Sequence, residues 1–350
     1  MPFRFRAQVS KARLVLPALV ASLAAACAEP PKVITPPPPP PPPSISLSPK
    51  LIELASAYRH YVSNTTAIAP AFVDGEAVAS SLRTGATYEP QQLAKGAIAY
   101  GAVVALQDRV FVEGVRTYAK DPTSRRQVAY ELLKDPAYAV GLPGSAGAAG
   151  LVIAALGGDA QKLYDNGKSI KQAAYDIQKQ PWSKAEVIGR DARLAYAKSA
   201  SAAAMTGTVD ETARLQQAST GAAPLGLTAT AAPPPYTQTV IRALAVAALA
   251  ALGEAGDANV TTVMGLVTEP NVGMCMNMSK LNLYQCLAVA RPHYEDVFCL
   301  GQHAMMDTGR CVIKASGLPE PYEARFVPSQ DSVNRGMPPK PAPKKKSRRG

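Results

Sequence analysis

The chain has 350 residues, of which 47% are hydrophobic, and its formal net charge is +11. Four basic residues lie before residue 14 and six lie after residue 336, and neither end holds an acid, so the long stretch between them is close to neutral. Because the basicity belongs to the ends, the high net charge is not evidence for a nucleic-acid-binding domain, and we predict no nucleic-acid partner.

The first residues have the pattern of an export signal. Four basic residues precede an apolar run over residues 14–26, which ends in Leu-Ala-Ala-Ala-Cys27. This run is shorter than the roughly 20 residues that a transmembrane helix needs. Residues 23–27 resemble the signal of a bacterial lipoprotein. The resemblance implies a signal peptide over residues 1–26 and lipidation of Cys27, which anchors the mature chain to a membrane.

Two destinations follow from the residues around Cys27. Ala28 is not the Asp that in many lipoproteins marks retention at the inner membrane, so the resemblance implies an outer-membrane lipoprotein that faces the periplasm. Ala26-Cys27-Ala28 also fits the small-x-small rule of ordinary signal cleavage. That cleavage would give a soluble periplasmic or secreted protein.

A proline-rich spacer over residues 27–47 comes next. Residues 36–43 are eight consecutive prolines, which predict a polyproline II rod about 25 Å long. Caps, prolines and apolar periodicity then predict a helical domain over residues 48–219. Its expected helices cover residues 49–61, 91–119, 122–133, 145–156, 160–179 and 182–205.

Spacing within these helices indicates which faces are buried. Leu163, Ile170 and Ile177 recur every seven residues and predict an apolar stripe toward the core. Residues 220–235, rich in Ala, Thr, Gly and Pro, are expected to form a linker. A helix over residues 236–252 then opens a second helical subdomain, over residues 236–317.

Four cysteines, Cys275, Cys286, Cys299 and Cys311, predict two disulfides. We expect a helix over residues 280–291 capped by Ser279, and a second helix from Pro292 to about Met306. An antiparallel hairpin would pair Cys286 with Cys299 and Cys275 with Cys311; adjacent pairing along the chain is the alternative. The expected fold class is mainly α: an irregular multi-helix bundle with a disulfide-pinned helical hairpin subdomain.

Side chains that could carry chemistry gather in the same hairpin. Cys299 and His303 are four residues apart, Glu295 lies one turn earlier, and His293 and Asp307 are close in sequence. They support the alternative of an envelope enzyme or metal-binding protein, with His293, His303 and Glu295 as the residues to test. The sequence has no H-E-x-x-H, G-x-S-x-G or S-x-x-K motif. We therefore predict no catalytic residue, metal or cofactor.

Residues 318–350 are expected to form a disordered basic tail. Its cations predict an electrostatic contact with an anionic envelope lipid or polymer. They are Lys340, Lys344, Lys345, Lys346, Arg348 and Arg349. The sequence thus favours a non-catalytic cell-envelope lipoprotein that acts as a scaffold, adaptor or binding module for an unidentified protein partner.

Overall fold

A computed structural model describes residues 41–323. These residues form thirteen α-helices and no named strand, which confirms the mainly α fold. The helices are α1 (Pro49–Thr66), α2 (Gly75–Ala86), α3 (Pro90–Ala105), α4 (Arg109–Ala119), α5 (Pro122–Lys134), α6 (Ser145–Asp176), α7 (Arg190–Ala202), α8 (Val209–Thr220), α9 (Gln238–Leu252), α10 (Val260–Leu266), α11 (Pro270–Val289), α12 (His293–Cys299) and α13 (Asp307–Ser316).

Several predictions concern residues outside this range. The signal peptide over residues 1–26, Cys27, most of the proline run and the cations of residues 340–349 lie outside the described residues. Within residues 41–323, none of the helices combines the length and the apolar character that crossing a bilayer requires.

Short polar side chains decide where many helices begin. Ser48 Oγ accepts a hydrogen bond from Lys50 N, Asp108 Oδ1 from Phe111 N, and Asp121 Oδ2 from Ser124 N. These bonds satisfy amide hydrogens that have no partner within the helix. Proline occupies the first turn of α1, α3, α5 and α11, where its missing amide costs nothing.

Helix α9 lies at the centre of the core. Its residues from Thr239 to Leu252 are buried except Arg242, and α9 packs against α3, α4, α5 and α6. The predicted helix over residues 236–252 is confirmed, and Gly253 ends it with a φ of 79° as the sequence indicated. The buried stripe is also confirmed, since Leu163, Ile170 and Ile177 are all buried.

The segment that enters α1 and the end of α13 contact opposite ends of α9. The incoming segment is fixed by hydrogen bonds from Ser46 N to Ala250 O and from Ser48 N to Ala255 O. At the other end, Thr237 Oγ1 donates to Ala315 O, where α13 finishes. Thr237 and Ala250 are thirteen residues apart, so these two attachments are about 20 Å apart along α9.

Four predicted helices have different limits in the structure. The helix expected over residues 91–119 is divided into α3 and α4, because Asp108 caps a new helix. The helices expected over residues 145–156 and 160–179 form one helix, α6, in which Gly157 packs beneath Leu318. Residues 182–205 hold a short 3₁₀ turn and α7, separated by a loop that ends at Gly189, whose φ is 72°.

The hairpin differs from the prediction at its start. Glu269 caps α11 with hydrogen bonds from Asn271 N and Val272 N, so Ser279 is a buried residue in mid-helix and not a cap. After Pro292, α12 continues through a π-helical segment, Leu300–Met306, into α13.

The disulfides join Cys286 to Cys299 and Cys275 to Cys311, each with a Cα–Cα distance of 5.7 Å. This is the nested pattern that we expected from an antiparallel hairpin.

Candidate functional site

A cleft of about 660 Å³ lies between α2 and α7. We call it the α2–α7 cleft. Four residues of α2, spaced three or four apart, line it together with three residues of α7: Gly75, Ala79, Leu82 and Ala86 on α2, and Ala192, Tyr196 and Ala197 on α7. The first turn of α12 closes one end, and the loop over residues 185–189 forms the rim. Alanine is the most frequent residue of the lining, and the charged residues Glu76, Arg83, Arg193 and Asp296 also line the cleft, which therefore combines small apolar side chains with charged groups.

The closed end of the cleft holds a buried ion pair. Arg193 Nη1 donates to Asp296 Oδ1, and Arg193 Nη2 donates to Leu287 O. Burial raises the pKa of Asp296 to about 6, although the hydrogen bond from Arg193 acts in the opposite direction. Arg193 Nε is also buried and has no hydrogen-bond partner among the described residues.

His293 lies at the mouth of the cleft. Its ring packs on Gly75, where an added Cβ would be 2.4 Å from His293 Cε1. Partial burial lowers the pKa of His293, and the nearby charge of Arg193 lowers it further. His293 N donates to Ala185 O at 3.3 Å, which fixes the start of α12 to the rim loop.

The rim presents an exposed apolar side chain between charged pairs. Ile188 is 97% exposed. Glu76 and Arg83 pair at 2.6 Å on α2, and Glu186 and Arg190 pair at 3.6 Å near the rim loop. A ligand entering the cleft would therefore meet apolar surface framed by charges that already compensate each other.

Only one of the three residues proposed for the alternative function lines the cleft. His293 does, whereas Glu295 Oε2 accepts a hydrogen bond from Arg291 N at 2.8 Å, and His303 Nδ1 lies 2.8 Å from Asp307 Oδ2. Burial alone would raise the pKa of Asp307, but hydrogen bonds from His303 and Gln302 hold it below its usual value.

The metal-ligand pattern also does not assemble. The sulfur of Cys299 is bonded to Cys286 and is not a free thiolate. Within residues 41–323 no group of three or more His, Cys, Asp and Glu side chains is arranged to hold a metal ion.

Sequence reasoning did not find a buried polar cluster behind the cleft. Lys280 Nζ donates to Ala86 O at 2.8 Å and lies 3.3 Å from the centroid of the Tyr88 ring. Beside it, the hydroxyl groups of Tyr88, Ser279 and Thr308 are hydrogen-bonded to one another, with oxygen–oxygen distances of 2.9 to 3.2 Å. Its one sequence signal was a lysine within an otherwise uncharged helix.

Comparison with known proteins gives no relative: no family model, no curated protein and no solved structure matches this chain. The functional conclusion therefore depends on the cleft, the hairpin and the sequence outside the described residues.

Proposed function

We propose that this chain is a non-catalytic cell-envelope lipoprotein whose helical body is an adaptor, and that the α2–α7 cleft binds an apolar segment of a partner protein. The observation that carries the binding role is the cleft itself. Its volume of about 660 Å³ lies within the range of protein binding pockets.

The cleft walls suit a helix or an extended apolar segment. Small side chains such as Ala79 and Ala192 allow a partner backbone to approach closely, and two flanking helices form the kind of groove that accepts a third element. Ile188 adds apolar contact at the rim. Four of the charged side chains of the cleft are held in two pairs, Arg193 with Asp296 and Arg83 with Glu76, and these pairs favour recognition over proton transfer.

The envelope location is supported by two features of the chain. The residues before Cys27 resemble a lipoprotein signal, and the two disulfides belong to the chemistry of oxidising compartments. In the proposal, Cys27 carries the lipid, and the cations from Lys340 to Arg349 contact an anionic polymer or lipid. The predicted spacer over residues 27–47 separates the body from the membrane only up to Pro43, because Pro43, Ser46 and Leu47 already pack against the body.

Site-specific photocrosslinking in intact envelopes tests the cleft. A photoreactive residue at Ile188 is expected to give a discrete protein adduct, and Ala79→Glu on the opposite wall is expected to reduce its yield at least fivefold. The same residue at Val209, which is 86% exposed on α8, is the control and should give no such adduct. Equal yields at both positions, or an adduct that ignores Ala79→Glu, would contradict a binding cleft.

Membrane fractionation and intact-mass measurement test the anchor. The wild-type chain should begin at Cys27, carry a diacylglycerol mass and sediment with membranes, and Cys27→Ser should release it. A native chain that still begins at Met1 would refute the lipoprotein assignment, whatever the crosslinking shows.

A further inference from the structure

The chain that leaves α13 runs along α6 toward the carboxyl end of that helix. Leu318 packs over Gly157, and five residues later Glu323 Oε1 accepts a hydrogen bond from Lys171 Nζ at 2.6 Å. Arg310 Nη2 also donates to Glu323. Gly157 and Lys171 are fourteen residues apart on α6, or about 21 Å. The described chain is thus nearly extended and its direction is fixed at Glu323.

An apolar pocket of about 370 Å³ lies just beyond that point. We call it the hairpin pocket. Tyr175 on α6, Val289 on α11, and Tyr294 and Phe298 on α12 line it beside the Cys286–Cys299 disulfide. The rings of Tyr175 and Phe298 meet edge to face, with centroids 6.2 Å apart.

Lys171 connects the end of the described chain to this pocket. Its Nζ binds Glu323 and also lies 5.5 Å from the centroid of the Phe298 ring. Tyr175 follows Lys171 by four residues, so it lies about 6 Å further along the helix in the direction in which the chain travels.

The next residues have the composition that such a pocket accepts. Phe326 and Val327 follow Glu323 by three and four residues, and Phe326 is the one aromatic residue of the sequence after Tyr322. Three to four residues span at most about 10 to 14 Å, which covers the distance from Lys171 to the pocket.

We infer that Phe326 and Val327 dock in the hairpin pocket of their own chain. The two side chains bury the exposed Val289 and the aromatic walls, and the basic residues from Lys340 onward then depart from the cysteine hairpin at a fixed place. Because docking needs only the chain itself, it goes beyond the envelope function and does not depend on it.

Limited trypsin proteolysis of the full mature chain, followed by mass spectrometry, tests this docking. Cleavage after Arg325 is expected to be at least tenfold slower than cleavage after Arg335, which serves as the internal reference. Val289→Asp leaves the cleaved sequence unchanged and should abolish the difference. Val110→Asp is the matched control: Val110 is 67% exposed and Val289 is 74% exposed, but Val110 lies on α4, outside the pocket.

A second variant tests the docking without a change in the pocket, so its result does not depend on whether Val289→Asp disturbs the fold. Phe326→Ser with Val327→Ser should speed cleavage after Arg325 at least tenfold, relative to synthetic peptides of the two sequences. Equal wild-type rates at Arg325 and Arg335, or protection that survives Val289→Asp in a folded protein, would overturn the inference. Protection that disappears on dilution together with a dimeric mass would place Phe326 on a second copy and would also overturn it.

Discussion

Lys280 is buried in α11 with little to compensate a positive charge. Its Nζ donates to Ala86 O and lies over the Tyr88 ring, and the carboxylate of Glu89 is the nearby charge that favours protonation. Desolvation outweighs these contacts and lowers the pKa of Lys280 well below its ordinary 10.5. Unfolding therefore takes up a proton at pH values between the folded pKa and 10.5.

Replacing Lys280 should change how stability depends on pH. Stability rises with pH where the unfolded state binds more protons, so the wild type should lose stability as pH falls from 10 toward neutrality. Each tenfold difference in proton affinity between the states contributes about 1.4 kcal/mol. Lys280→Met should flatten this slope in urea unfolding at pH 7 and pH 9.5. Lys198→Met, at an exposed site, should keep the wild-type slope.

For Asp296 we expect the opposite dependence of stability on pH, in the acidic range. Its folded pKa of about 6 lies above the ordinary 3.8, so the folded state retains a proton that the unfolded state releases. Stability should decline as pH rises from about 4 to 6, by at most about 3 kcal/mol from this carboxyl. Asp296→Asn should remove that decline, and Asp165→Asn on exposed α6 surface should not. Identical pH profiles for Asp296→Asn and wild type would show that this carboxyl does not titrate in the window.

At the scale of the elements, α1 and α3 approach each other at a glycine. A Cβ at Gly96 would lie 2.6 Å from Leu54 O and 2.8 Å from Tyr58 Cβ. Backbone cannot yield as a flexible side chain can, so Gly96→Ala must separate the helices.

Gly158 supplies a matched comparison within α6. A Cβ there would meet nothing within 4 Å, so Gly158→Ala tests helix propensity alone. We expect Gly96→Ala to cost about 1–3 kcal/mol of unfolding free energy and Gly158→Ala to add about 0.5–1 kcal/mol. Thermal and urea unfolding of both variants measure this. A Gly96→Ala variant that is as stable as Gly158→Ala would show that Gly96 is not a close-contact position.

Local signals predicted the elements well where they were strong and unique. α5 begins at Asp121-Pro122, and α9 combines continuous apolar residues with a terminal glycine, so both follow the sequence closely. The sequence predicted separate helices over residues 145–156 and 160–179, but they form one continuous helix, in which Gly157 packs beneath Leu318. Serine is a residue type that often caps helices, but α11 begins earlier than Ser279, because Glu269 caps it before Pro270.

The cleft could not be read from the sequence because its walls are distant along the chain. Ala79, Ala192 and His293 share one cleft only after α2, α7 and α12 pack together. Alanine on a helix face is equally typical of a buried contact, so the pattern did not distinguish an open cleft from core. The cysteine pairing, in contrast, could be predicted, because each disulfide joins the two arms of one hairpin, which are close in sequence. Hairpin geometry alone therefore favoured the nested pattern.

At the scale of the whole molecule, the two disulfides close chain segments of different length. Cys275–Cys311 spans 36 residues and Cys286–Cys299 spans 13. Each disulfide lowers the entropy of the unfolded chain, and by loop length the outer bond adds about 4 kcal/mol to the free energy of unfolding and the inner bond about 3 kcal/mol.

Paired alanine substitutions test this order. Cys275→Ala with Cys311→Ala should lower the free energy of unfolding more than Cys286→Ala with Cys299→Ala does, by about 1 kcal/mol. Urea unfolding of the two variants and of the wild type, without reductant, gives the comparison. A larger loss from the inner pair would show that local packing around Cys299 outweighs loop length.

Residues 41–48 and the end of α13 are attached at opposite ends of α9, and this has a mechanical consequence. If residues before Pro41 are held at a membrane and residues after Glu323 at a polymer, any pull between them crosses the body lengthwise. Tension arriving through α13 passes to α11 over the covalent Cys275–Cys311 bond. Residues 41–48 are held on the body only by noncovalent contacts, such as the hydrogen bonds of Ser46 and Ser48. Under tension this segment is therefore expected to detach first, while the cysteine hairpin stays intact.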